Sequence, residues 1–344
     1  MKSCLSCYPV HMRQTFYVII PASPRQMIPE SEKTLNLDIL NCPQCERRTP
    51  AARGACLYCG ATLPLTEITT APPQRVIDSF ERAFNAVLQP FRPRDDRAEE
   101  ALAAALKIEI AEASAFISSG KPVPLARSQS RQEAEMISAL VRSCGLSCSV
   151  VADEELRVET ELIRARRIVR ASDRLQVHHS GGALDLPVAE IKLFVIGSLR
   201  NLRVDYIEGA GGLRNPSPSV LDTTEFRSDE TLLDVYGSSL TGSFRIKSDA
   251  FDYSGLVWPL SFRAEENFRT AIAALHGAVP QARIDDDFSR MRALLARAWP
   301  ERSRTESRGV KRAGATYRPV SQSSVVKDNR DQFDRYSRLM FISV

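Results

Sequence analysis

Four cysteines arranged as two C-x-x-C pairs are the residues of this chain best suited to do chemistry: Cys42 and Cys45, then Cys56 and Cys59. Each pair can form a tight turn that presents two thiolates to one tetrahedral ion. Zinc accepts four thiolates at roughly 2.3 Å and then has no open position, so we predict a structural Zn2+ site. Iron in a four-cysteine site, a thiol redox pair and a pair of disulfides are the alternatives.

The residues around these cysteines make the pattern more specific. Pro43 follows the first cysteine and Gly60 follows the last, which gives C-P-x-C and then C-x-x-C-G. This pattern resembles the short zinc ribbons of bacterial proteins, over about twenty residues. The resemblance implies metal binding but names no activity. We predict a zinc ribbon over residues 41–65, which needs its ion because fewer than about 40 residues bury too little apolar surface to fold alone.

A third C-x-x-C pair, Cys4 and Cys7, lies near His11 in a segment without clear periodicity. We expect residues 1–40 to be a flexible extension, with a second metal site as the alternative. Met27 is a candidate for the biological start of the protein.

Other residues able to do chemistry have simpler structural explanations. Cys144 and Cys148 flank a predicted helix end, where we expect buried structural cysteines rather than ligands. His178 and His179 are adjacent on a predicted strand, so their side chains point to opposite faces, and we expect both at the surface. The alternative is that one of them is a metal ligand or a catalytic base. The acids of Asp285-Asp286-Asp287 precede a helix and are expected to interact with its N–H groups, with a metal-binding cluster as the alternative.

Composition sets the class of protein. The chain has 344 residues, is 43% hydrophobic and 26% charged, and carries a net charge of +4. These values are typical of an ordinary globular protein, and the charge alone does not indicate nucleic acid. Eight cysteines are too few for a secreted disulfide scaffold, so we expect a soluble cytoplasmic protein and no membrane partner. The sequence contains no phosphate-loop, dinucleotide-binding, zinc-protease or hydrolase motif, and no small-molecule substrate is predicted.

Periodicity divides the middle of the chain. After a Thr/Pro linker, apolar residues at helical spacing predict a helix that ends near Pro90, and a second helix is predicted from Arg97 to about Ser118. We interpret residues 74–119 as a helical arm. A strand, a helix capped by Ser130 and a second strand then predict a small α/β module over residues 121–156. The stretch LARSQSRQEAEMISALVRSCGLSCSVV resembles small bacterial modules proposed to transduce signals.

The second half is rich in strands. Short β-type runs, predicted at 163–169, 175–179, 184–186, 191–196, 202–207, 232–236 and 244–247, precede a helix predicted from about Ala264 to His276. This order resembles the pleckstrin-homology (PH) and GRAM-like folds, which implies an antiparallel β domain over 160–280. Residues 284–344 are predicted to be C-terminal helices with a mobile linker over 301–330, and the final apolar segment is expected to dock on the body.

The predicted fold class is therefore α+β: an N-terminal zinc ribbon, a helical arm, a small α/β module and a PH-like β domain with C-terminal helices. Five arginines cluster at the start of the β domain; they could meet phosphate, or they could be a solvated strand face: Arg164, Arg166, Arg167, Arg170 and Arg174. We interpret the protein as a non-catalytic, bacterial-type adaptor or regulatory protein with a protein partner. A nucleic-acid-binding protein is the first alternative, and an enzyme with a spatially assembled site is the second.

Overall fold

The computed structural model describes residues 39–50, 56–61, 63, 77, 81–90, 97–209, 219–256, 259–313 and 318–344. Residues 37–344 form one compact unit. The third cysteine pair, Cys4 and Cys7, lies outside the described residues, as do His11, Met27 and the predicted Thr/Pro linker.

The described part of the chain contains both helices and strands, as the α+β prediction requires. The strands are β1 (Ile39–Asn41), β2 (Arg48–Pro50), β3 (Phe84–Leu88), β4 (Val123–Ser128), β5 (Cys148–Ala152), β6 (Ile163–Ala165), β7 (Arg167–Arg170), β8 (Arg174–His179), β9 (Gly182–Pro187), β10 (Leu193–Gly209), β11 (Ser219–Tyr236), β12 (Phe244–Lys247), β13 (Arg283–Asp285), β14 (Arg302–Ala313) and β15 (Arg318–Asp328). The helices are α1 (Ala98–Leu106), α2 (Ile110–Ser118), α3 (Arg131–Ser143), α4 (Asp153–Leu156), α5 (Ala264–Ala278), α6 (Phe288–Leu295) and α7 (Arg330–Ile342).

The small α/β module has the predicted strand–helix–strand order. The Ser130 side chain accepts a hydrogen bond from the N–H of Glu133 and so caps α3, while Gly145, at φ +78°, follows its end. The sheet contains a third strand, because β3 lies between β4 and β5 and is antiparallel to both. The predicted helix before Pro90 is therefore wrong at residues 84–88. These residues form a central strand that is buried on both faces, and such a strand lacks the alternation that would distinguish it from a helix.

The single helix predicted from Arg97 to Ser118 is also interrupted. Lys107 adopts a left-handed conformation, with φ 53°, and its N–H donates to the carbonyl of Ala103, which ends α1. A new helix, α2, starts three residues later and packs beside α1. Because lysine is not a typical helix terminator, the local sequence does not signal this break.

The largest sheet has the strand order β14-β15-β10-β11-β12-β6, with β13 beside β10. A separate antiparallel meander has the order β7-β8-β9; Gly181 lies in its β8–β9 turn and Gly182 is the first residue of β9, in agreement with the hairpin predicted here. The strands predicted at 191–196 and 202–207 are one continuous strand, β10. The β domain is not purely antiparallel, because β6 pairs with β12 in parallel and β13 with β10 in parallel. Parallel neighbours require long crossovers, and the chain makes the whole β7–β11 excursion between β6 and β12.

Residues 301–330, predicted as a mobile linker, instead contain the β14–β15 hairpin, which pairs with β10. With the outer part of the β10–β11 hairpin, it forms a four-stranded extension that we call the arm: residues 201–209, 219–228, 302–313 and 318–328. Residues 220–229 and 301–307 are all exposed. A strand with solvent on both faces needs no apolar rhythm, which explains why the sequence pattern indicated a loop.

Strands β10 and β11 form the wall between two hydrophobic clusters. Leu193 and Val195 belong to a cluster with the α/β module, α6 and α7, whereas Phe194 belongs to a cluster with β6–β9 and α5. This alternation follows from the two-residue period of a strand. The terminal helix α7 docks on the body, as predicted, and buries an apolar face comprising Phe333, Tyr336, Leu339 and Met340.

A buried polar cluster lies at the end of the small sheet. The Asp153 carboxylate accepts hydrogen bonds from Arg127 Nη2 at 2.6 Å and from the Asn85 amide at 2.8 Å. The Asn85 carbonyl oxygen in turn accepts from the Trp299 indole N–H at 2.8 Å. The guanidinium of Arg335 lies 3.9 Å from Asp153. Burial, and then the neighbouring Arg127, lower the pKa of Arg335.

Candidate metal centre

Two turns with the same backbone pattern hold the four cysteines. In the first, the N–H of Cys42 donates to the Arg47 carbonyl at 3.0 Å and the N–H of Glu46 donates to the Cys42 carbonyl at 2.8 Å. In the second, Cys56 donates to Ala61 at 2.8 Å and Gly60 donates to Cys56 at 3.0 Å. Each turn closes through a left-handed residue directly after its second cysteine: Glu46 at φ 56° and Gly60 at φ 72°. Glycine adopts this conformation without strain, which explains its place in the C-x-x-C-G pattern.

The four sulfur atoms converge on one point. All of them lie within 4.8 Å of one another, with Cys42 Sγ 3.6 Å from Cys59 Sγ and Cys45 Sγ 3.5 Å from Cys56 Sγ. Four sulfurs placed tetrahedrally at roughly 2.3 Å from an ion would be about 3.8 Å apart, so the spacing fits a four-thiolate metal site. It is far longer than the ~2.05 Å of a disulfide bond. The cysteines are free, and as a group they could hold a metal ion.

The electrostatics of the cluster are compatible with a bound cation. The backbone N–H groups of Gln44 and Tyr58 each donate to a cysteine sulfur, Cys42 Sγ and Cys56 Sγ respectively, at 3.4 Å. Burial raises the pKa of Cys56, but hydrogen bonds from the Tyr58 and Cys59 N–H groups lower it to about 6. At Cys45, the Arg47 N–H lowers the pKa, yet burial and the neighbouring thiols raise it to about 12. One thiolate therefore opposes the formation of the next, and a bound metal ion would remove that repulsion.

The packing around the cysteines is small and local. Cys42, Cys56 and Leu63 form a buried cluster of their own. The antiparallel β1–β2 hairpin lies beside it, and the Thr49 hydroxyl, on β2, accepts a hydrogen bond from the N–H of Leu57 at 3.3 Å. This bond ties the hairpin to the second turn. With so little apolar burial, the segment would be stabilised strongly by a metal ion bound to the four cysteines.

The second turn also presents an apolar surface to solvent. Leu57 is 54% exposed and Tyr58 is 58% exposed. The Arg47 guanidinium lies 5.0 Å from the centre of the Tyr58 ring, within cation–π distance. Neither residue belongs to the candidates predicted from the sequence. The C-x-x-C spacing could have indicated their exposure, because a turn that directs its two cysteines inward directs the residues between them outward. In the second turn those residues are Leu57 and Tyr58.

The other candidate residues lie elsewhere. Cys148 is buried and Cys144 is partly buried, and both are free, as expected of structural cysteines. His178 and His179 are both partly exposed on β8, and the Nδ1 atom of His179 accepts a hydrogen bond from the Gly181 N–H at 3.1 Å. Among the residues that the structure describes, the four cysteines are the one group of three or more His, Cys, Asp or Glu close enough to hold a metal.

The acidic run before α6 has a different role from the predicted one. Asp285 lies in β13, not in the helix, and accepts from Lys121 Nζ at 2.5 Å and from the Tyr336 hydroxyl at 2.6 Å. Lys121 also lies 3.0 Å from Asp287. Asp287 precedes the helix but makes no side-chain cap hydrogen bond. A distant lysine therefore neutralises these carboxylates, which the local sequence could not indicate.

The five arginines of residues 164–174 are all exposed, but they do not form one continuous face. Arg167 and Arg174 lie on the outer face of the β7-β8-β9 meander, whereas Arg170 has the opposite phase. Arg167 lies 3.7 Å from Asp252. A phosphate-binding role for this group remains a prediction.

A groove of about 760 Å³ lies between β5 and the end of α7. Its ionisable side chains are Glu155 and Arg157, and the Glu155 carboxylate already accepts a hydrogen bond from the Ala152 N–H at 3.1 Å. Catalysis by a spatially assembled site stays an alternative prediction.

No protein-family profile matches this chain, and comparisons with curated proteins and with solved structures give no match either. Within the described residues, the helices are too short or too polar to cross a membrane.

Proposed function

We propose that Cys42, Cys45, Cys56 and Cys59 bind one Zn2+ ion as a structural zinc ribbon. The convergence of four reduced sulfurs at a tetrahedral spacing supports this assignment, and thiolate ligands favour zinc over calcium or magnesium. With four protein ligands the ion has no open coordination position, so its role is to fix the two turns rather than to activate a substrate. A reducing compartment such as the bacterial cytoplasm would keep the thiols available.

Metal analysis of the purified, reduced protein tests this part of the proposal. We expect one zinc per chain, and Cys42→Ser should lower the bound zinc at least tenfold, because it removes a ligand from the buried side of the cluster. Iron at one per chain would indicate the four-cysteine iron site instead. Protein without stoichiometric metal would contradict the proposal.

We further propose that the protein is a non-catalytic adaptor or regulatory protein that binds a protein partner through its second cysteine turn. The observation that carries this proposal is the exposure of Leu57 and Tyr58 on a turn that the metal would hold rigid. Rigid aromatic and aliphatic side chains on a fixed backbone are typical anchors of protein interfaces, since they lose little entropy on binding. Arg47, stacked on Tyr58, adds a polar contact at the rim.

The pseudo-symmetry of the two turns provides a matched control for a binding experiment. Tyr58 in the second turn corresponds to Gln44 in the first, and both are exposed between two cysteines. Affinity capture from native cells, with quantitative mass spectrometry, should show a partner that Leu57→Ser/Tyr58→Ser loses and Gln44→Ser retains. Zinc content should be the same in all three proteins. Equal recovery of partners by both variants would refute the docking surface.

Nucleic-acid binding is the second candidate function. Arg47 lies over the exposed Tyr58 ring and Arg48, the next residue, is also exposed; an exposed aromatic ring with an arginine beside it can stack on a base while the arginine contacts phosphate. Single-stranded DNA and RNA oligonucleotides titrated at several salt concentrations test it. Binding that weakens steeply with salt and is lost in Arg47→Ala/Arg48→Ala would favour this candidate. Binding that does not depend on salt, or no binding, would exclude it.

We also retain the PH-like assignment of residues 160–280 as a proposal. It is supported by α5, which covers the hydrophobic cluster formed by β6–β9 and one face of β10 and β11. The parallel pairs of β6 with β12 and of β13 with β10 are departures from that fold. An experimental structure with the PH strand connectivity is the decisive test.

A further inference from the structure

The arm exposes the edge of strand β11. Strand β10 pairs with one side of β11 along its whole length, whereas β12 covers the other side only at residues 232–235. Among the strands that the structure describes, none pairs with this second side between residues 220 and 230. A long open strand edge is a template for pairing with another strand.

The direction of the backbone groups on this edge can be worked out from two hydrogen bonds. The carbonyl of Tyr236 accepts from Lys192, on the side of β10, while the carbonyl of Thr231 accepts from Ser248, on the opposite side. The N–H and C=O of one residue in a strand point to the same side, and successive residues alternate. The β10–β11 register is unbroken from residue 236 to residue 222. Odd-numbered residues, including Glu225, Arg227 and Asp229, therefore direct their backbone groups at the open edge.

The sequence of this edge is complementary to itself. If two copies of β11 lie antiparallel about a two-fold axis through Phe226, Glu225 of each copy faces Arg227 of the other. Both residues direct their backbone groups outward, so these two pairs alone form about four backbone hydrogen bonds. Phe226, which is 54% exposed, meets Phe226 of the second copy as a non-hydrogen-bonded pair, in which side chains come closest.

We propose that two copies of this chain associate through antiparallel pairing of their β11 edges, centred on Phe226. Glu225 and Arg227 already form an ion pair with each other at 2.5 Å within one chain, and in this register each also faces the opposite charge on the second copy. The register covers the exposed aromatic ring of Phe226 as well. Outside this centre, Asp222 faces Glu230 of the second copy. Glu230 is already neutralised, because Lys247 lies 2.8 Å from it and Arg330 also forms an ion pair with it.

The other edge of the arm does not suit the same symmetric contact. Among its described side chains, strand β14 carries Arg302 and Arg304 against one acid, Glu306. Two such edges would repel each other. Pairing of β11 with β14 of a second copy would match charges, but it leaves an open edge at each end and would give polymers rather than dimers.

Sedimentation of the full-length, zinc-loaded protein over a range of concentrations tests the proposal first. We expect a reversible change from 38.3 kDa to about 77 kDa. A monomer at every concentration up to about 100 μM would overturn the proposal, since pairing weaker than this would not exceed ordinary non-specific association. Species larger than the dimer would also overturn it, in favour of head-to-tail pairing.

Disulfide trapping tests the register. In the proposed dimer, Phe226→Cys places two cysteines opposite each other, at about 4.5 Å between Cα atoms, which suits a disulfide. Thr224→Cys is the matched control: it lies on the same face, but its two copies are about 13 Å apart along the strands. Mild oxidation should cross-link the Phe226→Cys protein and not the control. Equal cross-linking of both, or of neither, contradicts the register.

Charge exchange provides an independent test. Arg227→Glu replaces two attractive cross-strand pairs by two repulsive ones and should weaken the dimer about 30-fold. The double variant Glu225→Arg/Arg227→Glu restores opposite charges across the axis and should dimerise nearly as well as the wild type. Both positions are exposed, so the variants should fold normally, which circular dichroism can verify. A double variant as weak as Arg227→Glu would refute the pairing.

Discussion

Replacing Asp153 by alanine should destabilise the fold more than most substitutions in this chain. The carboxylate accepts from two atoms of Arg127, Nη2 at 2.6 Å and Nε at 3.2 Å, and from the Asn85 amide. Asp153 and Arg127 expose only 9% and 3% of their side chains. The substitution leaves the charge of Arg127 in the interior without its nearest counter-ion. A second positive charge, that of Arg335, lies close to the same carboxylate position.

The expected loss follows from this burial. Removing one partner of a buried ion pair costs about 3–5 kcal/mol, because the remaining charge stays desolvated. Arg127 keeps hydrogen bonds from its guanidinium to the carbonyls of Ile77 and Glu81, which places the estimate for Asp153→Ala near the lower end, about 3 kcal/mol. Asp153→Asn keeps the shape and one acceptor, so about 1–3 kcal/mol is expected.

Urea unfolding monitored by circular dichroism measures these free energies. The adjacent Glu154→Ala is the matched control, since Glu154 is 51% exposed and lies 3.7 Å from an exposed arginine, Arg82. An exposed pair contributes about 0–1 kcal/mol, so the control should remain close to the wild type. If Asp153→Ala were within about 1 kcal/mol of that control, the buried pair would not organise the interior as we infer.

Three further outcomes are expected. Gly197→Ala should lower the free energy of unfolding by about 1–3 kcal/mol, because the new Cβ would lie 2.3 Å from the buried Phe333 ring. The control is Gly277→Ala in α5, where the added Cβ meets open space. This variant should be as stable as the wild type or more stable in thermal unfolding. Burial alone would raise the pKa of Glu230, but Lys247 and Arg330 lower this pKa below its ordinary value of 4.5. The ionised Glu230 side chain therefore stabilises the fold above pH 4.5, and this stabilisation is lost as the pH falls through the lower pKa of the folded state. The stability difference between wild type and Glu230→Gln should therefore shrink from pH 7 to pH 3, and a constant difference would contradict this. Chelation of the proposed zinc ion should speed amide hydrogen exchange in residues 41–50 and 56–61 but not in β3. Equal effects in both would contradict a purely local role of the ion.

The parts of the fold that the sequence could predict are those with local causes. Helix α3 has a capping serine at Ser130, a glycine after its end and an apolar stripe, and its bounds agree with the prediction. The candidate metal centre is equally local, because its four cysteines span 18 residues and each turn is encoded by its own C-x-x-C motif. Strand β12 also appears at residues 244–247, as predicted.

The parts that escaped prediction depend on distant partners or lack a periodic signal. Strand β3 is buried on both faces, so its apolar residues fit a helix as well as a strand. The β14–β15 hairpin is recognisable only through its pairing with β10. The cluster around Asp153 brings together Asn85 and Trp299, which are 214 residues apart, and no local motif could connect them.

The continuity of β10 has a mechanical consequence. Its first residues form part of both hydrophobic clusters, and the same strand runs into the arm without a bulge before Ile207. Bending at the base of the arm would break hydrogen bonds between the paired strands. A displacement of the tip of the arm is therefore expected to displace the base of β10 as well. The base of β10 contains Gly197, and the Phe333 ring of α7 packs against this glycine. Strand β10 therefore couples the position of the arm to that of the terminal helix α7.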